Sequence, residues 1–270
     1  MTLVSTEWLN NNLGNVRIFD SSWHMPASKR NAKSEYSDKH IPGALFFDID
    51  EHSNKDSSLP HMLPNSDYWT RMLWSFGIEN KDHIIVYDFS NILSACRLWF
   101  SLKYFGHTKV SVLDGGMEKW LEENRQITSR LEHFKSNNNY KVSKNNNCVK
   151  NKKQIDENIN KKEFKLIDAR SKNRFLGLAP EPRPNVKTGS IKDSVCLPFA
   201  ECINSDKTFL NKKTLEEKFK SIGVKSNENV VFTCGSGITA CVLALAYSLI
   251  NDKYLPVIYD GSWSEYGRLK

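Results

Sequence analysis

The sequence predicts an α/β protein with two tandem domains, each a parallel β-sheet with helices on both faces. Short apolar runs that resemble strands alternate with helical stretches, and the two halves of the chain resemble each other. Hydrophobic residues make up 39% of the 270 residues, which is enough to bury a core in each domain. In such sheets ligands bind at the carboxyl ends of the strands, so we expect a site there.

The two halves align in order at offsets of about 146 to 150 residues. The matching segments are 16–20 with 164–168, 40–44 with 190–194, 84–88 with 230–234, and 113–116 with 259–262. This period is far longer than that of a solenoid and indicates duplicated domains. Each half repeats a strand, a loop, a strand, a loop, a helix and a strand.

The repeat predicts an N-terminal domain over 1–130, a linker over 131–162 and a C-terminal domain over 163–270. Nine lysines between residues 135 and 165 face three acidic residues, so this stretch supplies a surplus of six toward the net charge of +7. A localised stretch rich in Lys and Asn is typical of a solvated linker rather than a nucleic-acid surface. We therefore predict no nucleic-acid partner.

Neither a membrane segment nor a leader is evident in the sequence. The longest apolar stretch, 240–250, is too short to cross a bilayer, so no membrane partner is predicted. The first residues resemble neither a secretory leader nor a transit peptide, which predicts a cytoplasmic protein, with mitochondria as the alternative.

The six cysteines show no Cys-x-x-Cys pair and no zinc-ligand spacing, which predicts reduced thiols and no bound metal. Four of them lie in apolar contexts typical of core packing, namely Cys96, Cys196, Cys202 and Cys241. Cys148 lies in the predicted linker and is expected to be exposed.

Cys234 is the strongest candidate for a functional residue. It ends the apolar run 229–233 and opens the turn 234–239, after which a helix is predicted from Ala240. Gly235 and Gly237 allow a tight turn whose N–H groups point inward at a helix N-terminus, and such a loop favours an anion. In the first half Asp88 stands at the matching position without the glycines, so only the second half can be nucleophilic. The alternative is a buried structural cysteine.

All seven histidines precede residue 134, so an imidazole that serves Cys234 must come from the first half. This predicts a site where the halves meet, a common location for pockets. His61 is held between prolines in a loop, and Asp50 lies upstream of it. The alternative for His61 is a loop histidine that caps a backbone group.

Two arginines, Arg174 and Arg183, occur in the loop that follows the strand ending at Asp168. A guanidinium group presents a planar fork that suits a carboxylate or a sulfo group. The alternative is that each arginine pairs with a nearby acid such as Glu181.

With these residues and the duplication, the chain resembles the tandem-domain sulfurtransferases of the rhodanese superfamily, in particular their 3-mercaptopyruvate branch. The resemblance covers nearly the whole chain and rests on the segments 40–44, 61–64, 113–116, 168–184, 234–240 and 259–265. One segment departs from the family's pattern: residues 189–193 replace the usual His-Ile-Pro-Gly turn of the second domain.

The resemblance implies that Cys234 takes sulfur from 3-mercaptopyruvate as a persulfide, releases pyruvate and passes the sulfur to a thiol acceptor such as thioredoxin or a small thiol, or to cyanide. It implies that Arg174 and Arg183 bind the substrate carboxylate and that Asp50, His61 and Ser236 form a polar relay. The amide groups of the loop would stabilise the persulfide, and no cofactor is implied. The loop residues concerned are Gly235, Gly237, Ile238 and Thr239.

Three other functions remain as alternatives. A thiosulfate:cyanide sulfurtransferase is the nearest, although members that prefer thiosulfate carry basic residues after the cysteine, where this chain has Gly235 and Ser236. A phosphatase would need a longer loop that ends in an arginine, whereas the sixth residue after Cys234 is Ala240. A non-catalytic rhodanese-like binding module is the third.

Overall fold

The computed structural model describes residues 1–133, 135–225 and 228–269. The chain divides into two compact units. Unit 1 consists of residues 1–54, 63–145 and 204–208. Unit 2 consists of residues 55–62, 146–203 and 209–270, so a short segment of the N-terminal half belongs to it.

Unit 1 contains a five-stranded parallel sheet in the order β1-β5-β4-β2-β3. The strands are β1 (Leu3–Val4), β2 (Arg17–Asp20), β3 (Ala44–Phe46), β4 (Ile84–Tyr87) and β5 (Val110–Leu113). The helices are α1 (Thr6–Asn10), α2 (Ala32–Asp38), α3 (Ser66–Ser75), α4 (Ala95–Tyr104) and α5 (Gly116–Glu122). Its core includes the fully buried side chain of Trp120, packed among aliphatic residues of the sheet.

Unit 2 repeats this architecture with the strand order β6-β10-β9-β7-β8, again parallel. The strands are β6 (Val149–Lys150), β7 (Lys165–Asp168), β8 (Val195–Cys196), β9 (Val230–Thr233) and β10 (Ile258–Tyr259). The helices are α6 (Lys152–Lys161), α7 (Lys172–Phe175), α8 (Lys212–Ser221), α9 (Thr239–Ser248) and α10 (Ser262–Tyr266). The predicted fold class, two repeated α/β units with parallel sheets, is confirmed.

The strand register reproduces the sequence repeat. Asp20 lies opposite Phe46 and Tyr87 in unit 1, and Asp168 lies opposite Cys196 and Thr233 in unit 2. Because the register matches on both sides of the central strand, the residues that follow β4 and β9 occupy equivalent positions. Asp88 and Cys234 are these residues.

The turn at 190–194 keeps the geometry of its counterpart at 40–44 despite its different sequence. Asp193 has a φ of +62° where Gly43 has +82°, and the two turns close with similar hydrogen bonds, Ser194 N–H to the Ile191 carbonyl and Ala44 N–H to that of Ile41. Aspartate tolerates this left-handed conformation better than most residues, which explains how the turn persists without glycine.

The second half of the predicted linker is structured. Strand β6 pairs with β10, and the capping box of Asn151 and Gln154 starts helix α6, whose Ile155 is buried in the core. Cys148 is 2% exposed, so the expectation of an exposed thiol is wrong. The composition of this stretch suggested a solvated linker because α6 is rich in Lys and Asn. The burial of one apolar face is nevertheless enough to hold the helix against the sheet.

Helix α9 is buried along nearly its whole length, from Ala240 to Tyr247, and it packs against β9. A helix with apolar residues on every side can only lie inside a core. It therefore fixes the loop at its N-terminus. None of the described helices is both long enough and apolar enough to span a membrane.

Candidate functional site

Cys234 lies directly after the buried strand β9, at the carboxyl end of the sheet, and is 2% exposed. Three residues later Gly237 has a φ of +80°, a conformation that favours glycine, and helix α9 begins at Thr239. The predicted strand, tight turn and helix N-terminus are therefore present around the thiol. We refer to residues 234–238 as the active loop.

Part of the backbone of this loop is able to bind an anion. In the described part of the chain, the N–H groups of Gly235, Ser236 and Ile238 donate to no protein acceptor. They lie just before the first turn of α9, where unsatisfied N–H groups carry partial positive charge. Negative charge that develops on sulfur at Cys234 would be stabilised by such groups.

The start of helix α10 holds the active loop in place. The N–H of Cys234 donates to Ser262 Oγ at 3.2 Å, and the carbonyl of Cys234 accepts from the N–H of Trp263 at 2.9 Å. The carbonyl of Gly235 accepts from the N–H and the hydroxyl of Ser264 at 2.8 and 2.5 Å. Sequence reasoning missed these roles because contacts over such separations leave no local pattern, although the segment carries part of the family resemblance.

His61 and Ser236 meet within unit 2. His61 Nδ1 lies 3.0 Å from Ser236 Oγ, and the two residues are 5% and 6% exposed. The imidazole comes from the N-terminal half, as predicted, through the segment 55–62 that belongs to unit 2. A buried imidazole and hydroxyl in contact can pass a proton between them. Asp50 belongs to unit 1, where its Oδ2 accepts from Trp23 Nε1 at 2.7 Å.

Arg174 and Arg183 both lie beside the active loop. A Cβ atom placed on Gly235 would be 3.1 Å from Nη2 of Arg174 and 3.9 Å from Nη1 of Arg183. The alternative of a pairing with Glu181 holds for Arg174, whose Nη2 and Nε donate to the two carboxylate oxygens at 2.6 and 3.2 Å. The two interpretations are therefore compatible, because the paired guanidinium group still reaches the loop.

A second arginine fixes Glu181. Arg170 is fully buried and donates to Glu181 Oε1 at 2.7 Å and to Asp168 Oδ2 at 2.7 Å, with its guanidinium 4.6 Å from the centre of the Trp263 ring. Burial would lower the pKa of Arg170, but the hydrogen bonds and charges of Asp168 and Glu181 outweigh it and raise the pKa. Arg170 therefore stays charged and orients the carboxylate that holds Arg174.

Two other thiols of unit 2 lack the environment of Cys234. Burial raises the pKa of Cys196 to about 11 and that of Cys202 to about 12, so both stay protonated at neutral pH. Cys241 lies in the first turn of α9, and its thiol donates to the carbonyl of Gly237 at 3.1 Å. None of these three thiols lies in a loop between a buried strand and a helix N-terminus, as Cys234 does.

Among residues 1–133, 135–225 and 228–269, no group of three or more His, Cys, Asp or Glu side chains is arranged to hold a metal ion. The cysteines in this part of the chain form no disulfide bonds.

Two repeated α/β units, one with a cysteine in an amide-rich loop and the other with an aspartate at the same position, define a tandem-domain protein with two differing copies of one fold. The family model for the rhodanese-like domain matches residues 5–123 and 151–269. The chain belongs to the rhodanese family.

Known relatives include enzymes for two sulfur donors. The chain is 36% identical to the 3-mercaptopyruvate sulfurtransferase of Mus musculus, over 98% of this chain and 91% of that protein. It is also 36% identical to the thiosulfate sulfurtransferase of Rattus norvegicus, over 98% and 92%. Among solved structures, the 3-mercaptopyruvate sulfotransferase SseA of Escherichia coli matches with a TM-score of 0.87 and 30% identity, over 97% of this chain and 99% of that one. The predicted enzyme class, a transferase of sulfur-containing groups, is confirmed, and these relatives leave the donor open.

Proposed function

We propose that the protein transfers sulfur from 3-mercaptopyruvate to Cys234 as a persulfide, and from there to a thiol acceptor, with release of pyruvate. The observation that carries this proposal is the surroundings of Cys234. The thiol follows a buried strand, N–H groups without protein acceptors adjoin it, and two guanidinium groups lie over the next residue. An anion-stabilising loop next to carboxylate-binding groups suits a donor that carries both a thiol and a carboxylate.

In the first half-reaction the thiolate of Cys234 attacks the sulfur atom of the donor. A new S–S bond forms, the C–S bond of the donor breaks, and its electron pair enters the enolate of pyruvate. The proton of the donor thiol ends on the methyl carbon of pyruvate, so the products are pyruvate and the Cys234 persulfide anion. No external oxidant or reductant is required.

Arg174 and Arg183 are proposed to orient the carboxylate and keto groups of the donor. Ser236 and His61 would carry the proton from the donor thiol to the departing carbon, since the hydroxyl and the imidazole are 3.0 Å apart and buried. Asp50 is proposed as the third member of this relay.

The backbone of the active loop is proposed to stabilise the persulfide anion. Gly235, Gly237, Ile238 and Thr239 form the turn and the helix start next to the sulfur, and the partial positive charge of a helix N-terminus opposes the negative charge. The residues in these roles need no metal and no organic cofactor.

In the second half-reaction an acceptor thiolate attacks the outer sulfur of the persulfide. The S–S bond breaks toward Cys234 and regenerates its thiolate, while the acceptor leaves as a persulfide or, with a second thiol, releases sulfide. Thioredoxin or a small thiol is proposed as the acceptor, and cyanide would also serve.

A thiosulfate donor is the second candidate, because the rat thiosulfate sulfurtransferase is as similar to this chain as the mouse 3-mercaptopyruvate enzyme. The neutral residues Gly235 and Ser236 after the cysteine favour the mercapto acid. The Glu181 carboxylate bound to Arg174 also disfavours a dianion, since it reduces the positive charge over the loop.

The test is pyruvate release from 3-mercaptopyruvate with a dithiol acceptor, for the wild type and for Cys234→Ser, with thiosulfate and cyanide in parallel. We expect turnover of 3-mercaptopyruvate that exceeds that of thiosulfate and disappears in the variant. A faster reaction with thiosulfate would favour the second donor. The absence of turnover and of persulfide formation with either donor would favour a binding module.

The compartment proposed is the cytoplasm, where thiols remain reduced and sulfur acceptors are abundant. One relative, a sulfurtransferase of Arabidopsis thaliana that is 36% identical, is named as mitochondrial. Fractionation of cells that express the full chain distinguishes the two compartments.

A further inference from the structure

A cavity of about 440 Å³ lies in unit 2 beside the active loop. Its ten lining residues are neutral or cationic, and two of them, Arg183 and Arg268, are arginines. Leu59, Pro60 and Val186 add apolar surface. Cavities of this size hold small organic ligands, and this lining suits a ligand with a short apolar part and a carboxylate.

The two arginines are held on backbone segments that bind each other. Val186 and Arg268 form an antiparallel bridge, and the N–H of Leu269 donates to the carbonyl of Asn185 at 2.9 Å. Arg183 precedes this bridge and lies between two prolines, which restrict its backbone. The backbone positions of the two arginines are thus set by the fold.

The cavity adjoins the active loop through two of its wall residues. Ser264 lines the cavity and donates its hydroxyl to the carbonyl of Gly235 at 2.5 Å. Arg183 lines it too, and its Nη1 would lie 3.9 Å from a Cβ on Gly235. A ligand in this cavity therefore contacts side chains that also lie against Gly235, the residue next to Cys234.

Arg268 is the group in this cavity that the proposed donor step does not use. Its side chain is exposed, and Nη1 donates to Ser58 Oγ at 2.7 Å. Across the described residues, no carboxylate lies within ion-pair distance of Arg268. Most of its five N–H donors therefore remain for a ligand, and a guanidinium group prefers a carboxylate in a bidentate geometry.

We propose that this cavity binds the sulfur acceptor, and that the acceptor class is a small thiol with a carboxylate, which Arg268 binds. The inference rests on the proposed function, because the acceptor is defined by the Cys234 persulfide. The thiolate of the bound acceptor attacks the outer sulfur, the S–S bond breaks, and the electron pair returns to Cys234. The acceptor leaves with one additional sulfur atom, and no other reactant is consumed.

The test compares two acceptors that differ only in charge, N-acetylcysteine and N-acetylcysteine amide, at saturating 3-mercaptopyruvate. For Arg268→Gln we expect the KM for N-acetylcysteine to rise about fivefold, since a partly exposed charge pair is lost, and the KM for the amide to stay the same. The kcat and the KM for 3-mercaptopyruvate with dithiothreitol should not change. Arg71→Gln, an exposed arginine of α3 in unit 1, is the matched control.

Equal effects of Arg268→Gln on both acceptors, or no effect on either, would overturn the subsite. A calorimetric titration with S-methyl-N-acetylcysteine, which cannot accept sulfur, gives a readout that does not depend on turnover. We expect the wild type to bind it more tightly than Arg268→Gln does, and equal binding would also overturn the proposal. A wild type without turnover with dithiothreitol would instead contradict the proposed function, so the two failures are distinguishable.

Discussion

The loops after strands β4 and β9 are held by equivalent backbone hydrogen bonds but begin with different side chains, Asp88 and Cys234. The carbonyl of Asp88 accepts from the N–H of Met117, and the carbonyl of Cys234 accepts from the N–H of Trp263, both at 2.9 Å and both 29 residues apart in the sequence. The backbone hydrogen bond that holds the start of each loop is therefore present in both units. What differs is the first side chain of each loop, a carboxyl group that can itself serve as an anion in unit 1 and a thiol in unit 2.

In unit 1 the chain supplies this anion itself. The Asp88 Oδ2 accepts from the N–H groups of Ser90 and Ser94 at 3.0 and 3.2 Å and from the Ser90 hydroxyl. Burial raises the pKa of Asp88 above its usual value, partly offset by these hydrogen bonds. A carboxylate that occupies the donors of its own loop leaves them unable to bind a ligand, whereas the loop of Cys234 keeps such donors for one.

An arginine lies over each loop, but the residue beneath it differs. Arg30 Nη2 donates to the carbonyl of Phe89 at 3.1 Å and its guanidinium lies 4.8 Å from the centre of the Phe89 ring. Arg174 lies over Gly235, the equivalent position in unit 2. In unit 1 the aromatic ring therefore occupies the space under the guanidinium group, whereas in unit 2 the glycine places no side chain there.

The largest effect is expected from Gly235→Phe, which copies unit 1 into unit 2. The new side chain would meet Arg174, whose Nη2 lies only 3.1 Å from the Cβ position, and it would displace the bound donor. We expect kcat/KM for 3-mercaptopyruvate to fall at least about 10²-fold, as for a misplaced substrate. Gly14→Ala, where a Cβ meets no atom within 4 Å, is the control. Near-normal turnover would show that the space above Gly235 is not used by the substrate.

A smaller effect is expected from Glu181→Gln, which changes the charge over the loop without removing the arginine. The neutral amide no longer offsets the charge of Arg174, so the net charge over the loop becomes more positive by one. Because Arg174 is partly exposed, this favours binding of a dianion over a monoanion by about 1 kcal/mol. The ratio of kcat/KM for thiosulfate to that for 3-mercaptopyruvate should rise about fivefold. An unchanged ratio, with both values reduced alike, would assign Glu181 a purely structural role.

Ser262 offers a finer comparison, because its counterpart in unit 1 is Gly116. Both have a left-handed backbone, with φ of +48° for Ser262 and +56° for Gly116. The serine differs in having a hydroxyl group, which accepts the N–H of Cys234. In Ser262→Gly, relief of strain and loss of the hydrogen bond, about 1 kcal/mol each, should nearly cancel in the free energy of unfolding. Turnover should fall severalfold because the amide of Cys234 loses its acceptor.

Ser262→Ala separates the two contributions, since it keeps the strained backbone and loses the acceptor. It should lower the free energy of unfolding by about 1 kcal/mol or more, as measured by denaturant titration. If both variants have wild-type activity, the hydrogen bond to Cys234 does not position the thiol.

Much of this comparison is readable from the sequence. The repeat makes Asp88 and Cys234 equivalent, the glycines indicate the turn, and, because no histidine follows residue 133, any imidazole that serves Cys234 must come from the N-terminal half. These are local patterns or comparisons of one half with the other. His61 and Ser236 lie 175 residues apart, and the family resemblance rather than any local signal pairs them.

The sequence does not predict how α10 holds the active loop or how Arg170 fixes Glu181. A serine in a left-handed conformation looks like any other serine, and a fully buried arginine cannot be told from an exposed one by its neighbours in the chain. The sequence likewise does not predict helix α6, because its lysines resemble those of a solvated linker and the burial of its core-facing residues depends on a sheet formed by distant strands.

The smallest effect on turnover is expected at the central strands β2 and β7. Each ends in an aspartate, but the two aspartates have different hydrogen-bond partners. Asp168 is paired with Arg170, whereas among the described residues Asp20 accepts from Ser22 and Tyr87 and from no cation. Burial raises the pKa of Asp20 to about 6 from 3.8. The folded state therefore binds this proton more tightly than the unfolded state. Its contribution to stability is full below about pH 4 and is lost as the pH rises through 6.

Asp20→Asn should remove this contribution while keeping an oxygen that accepts from Ser22. A shift of this size corresponds to about 3 kcal/mol, so the free energy of unfolding of the wild type should fall relative to that of the variant by up to this amount between pH 4 and pH 7. Denaturant titrations at both pH values measure the difference, with the exposed Asp38→Asn as the control. Sulfur transfer should be unchanged at pH 7, because Asp20 belongs to unit 1 and Cys234 to unit 2. Parallel pH profiles of stability for wild type and variant would mean that Asp20 is ionised in the folded protein as readily as in the unfolded chain.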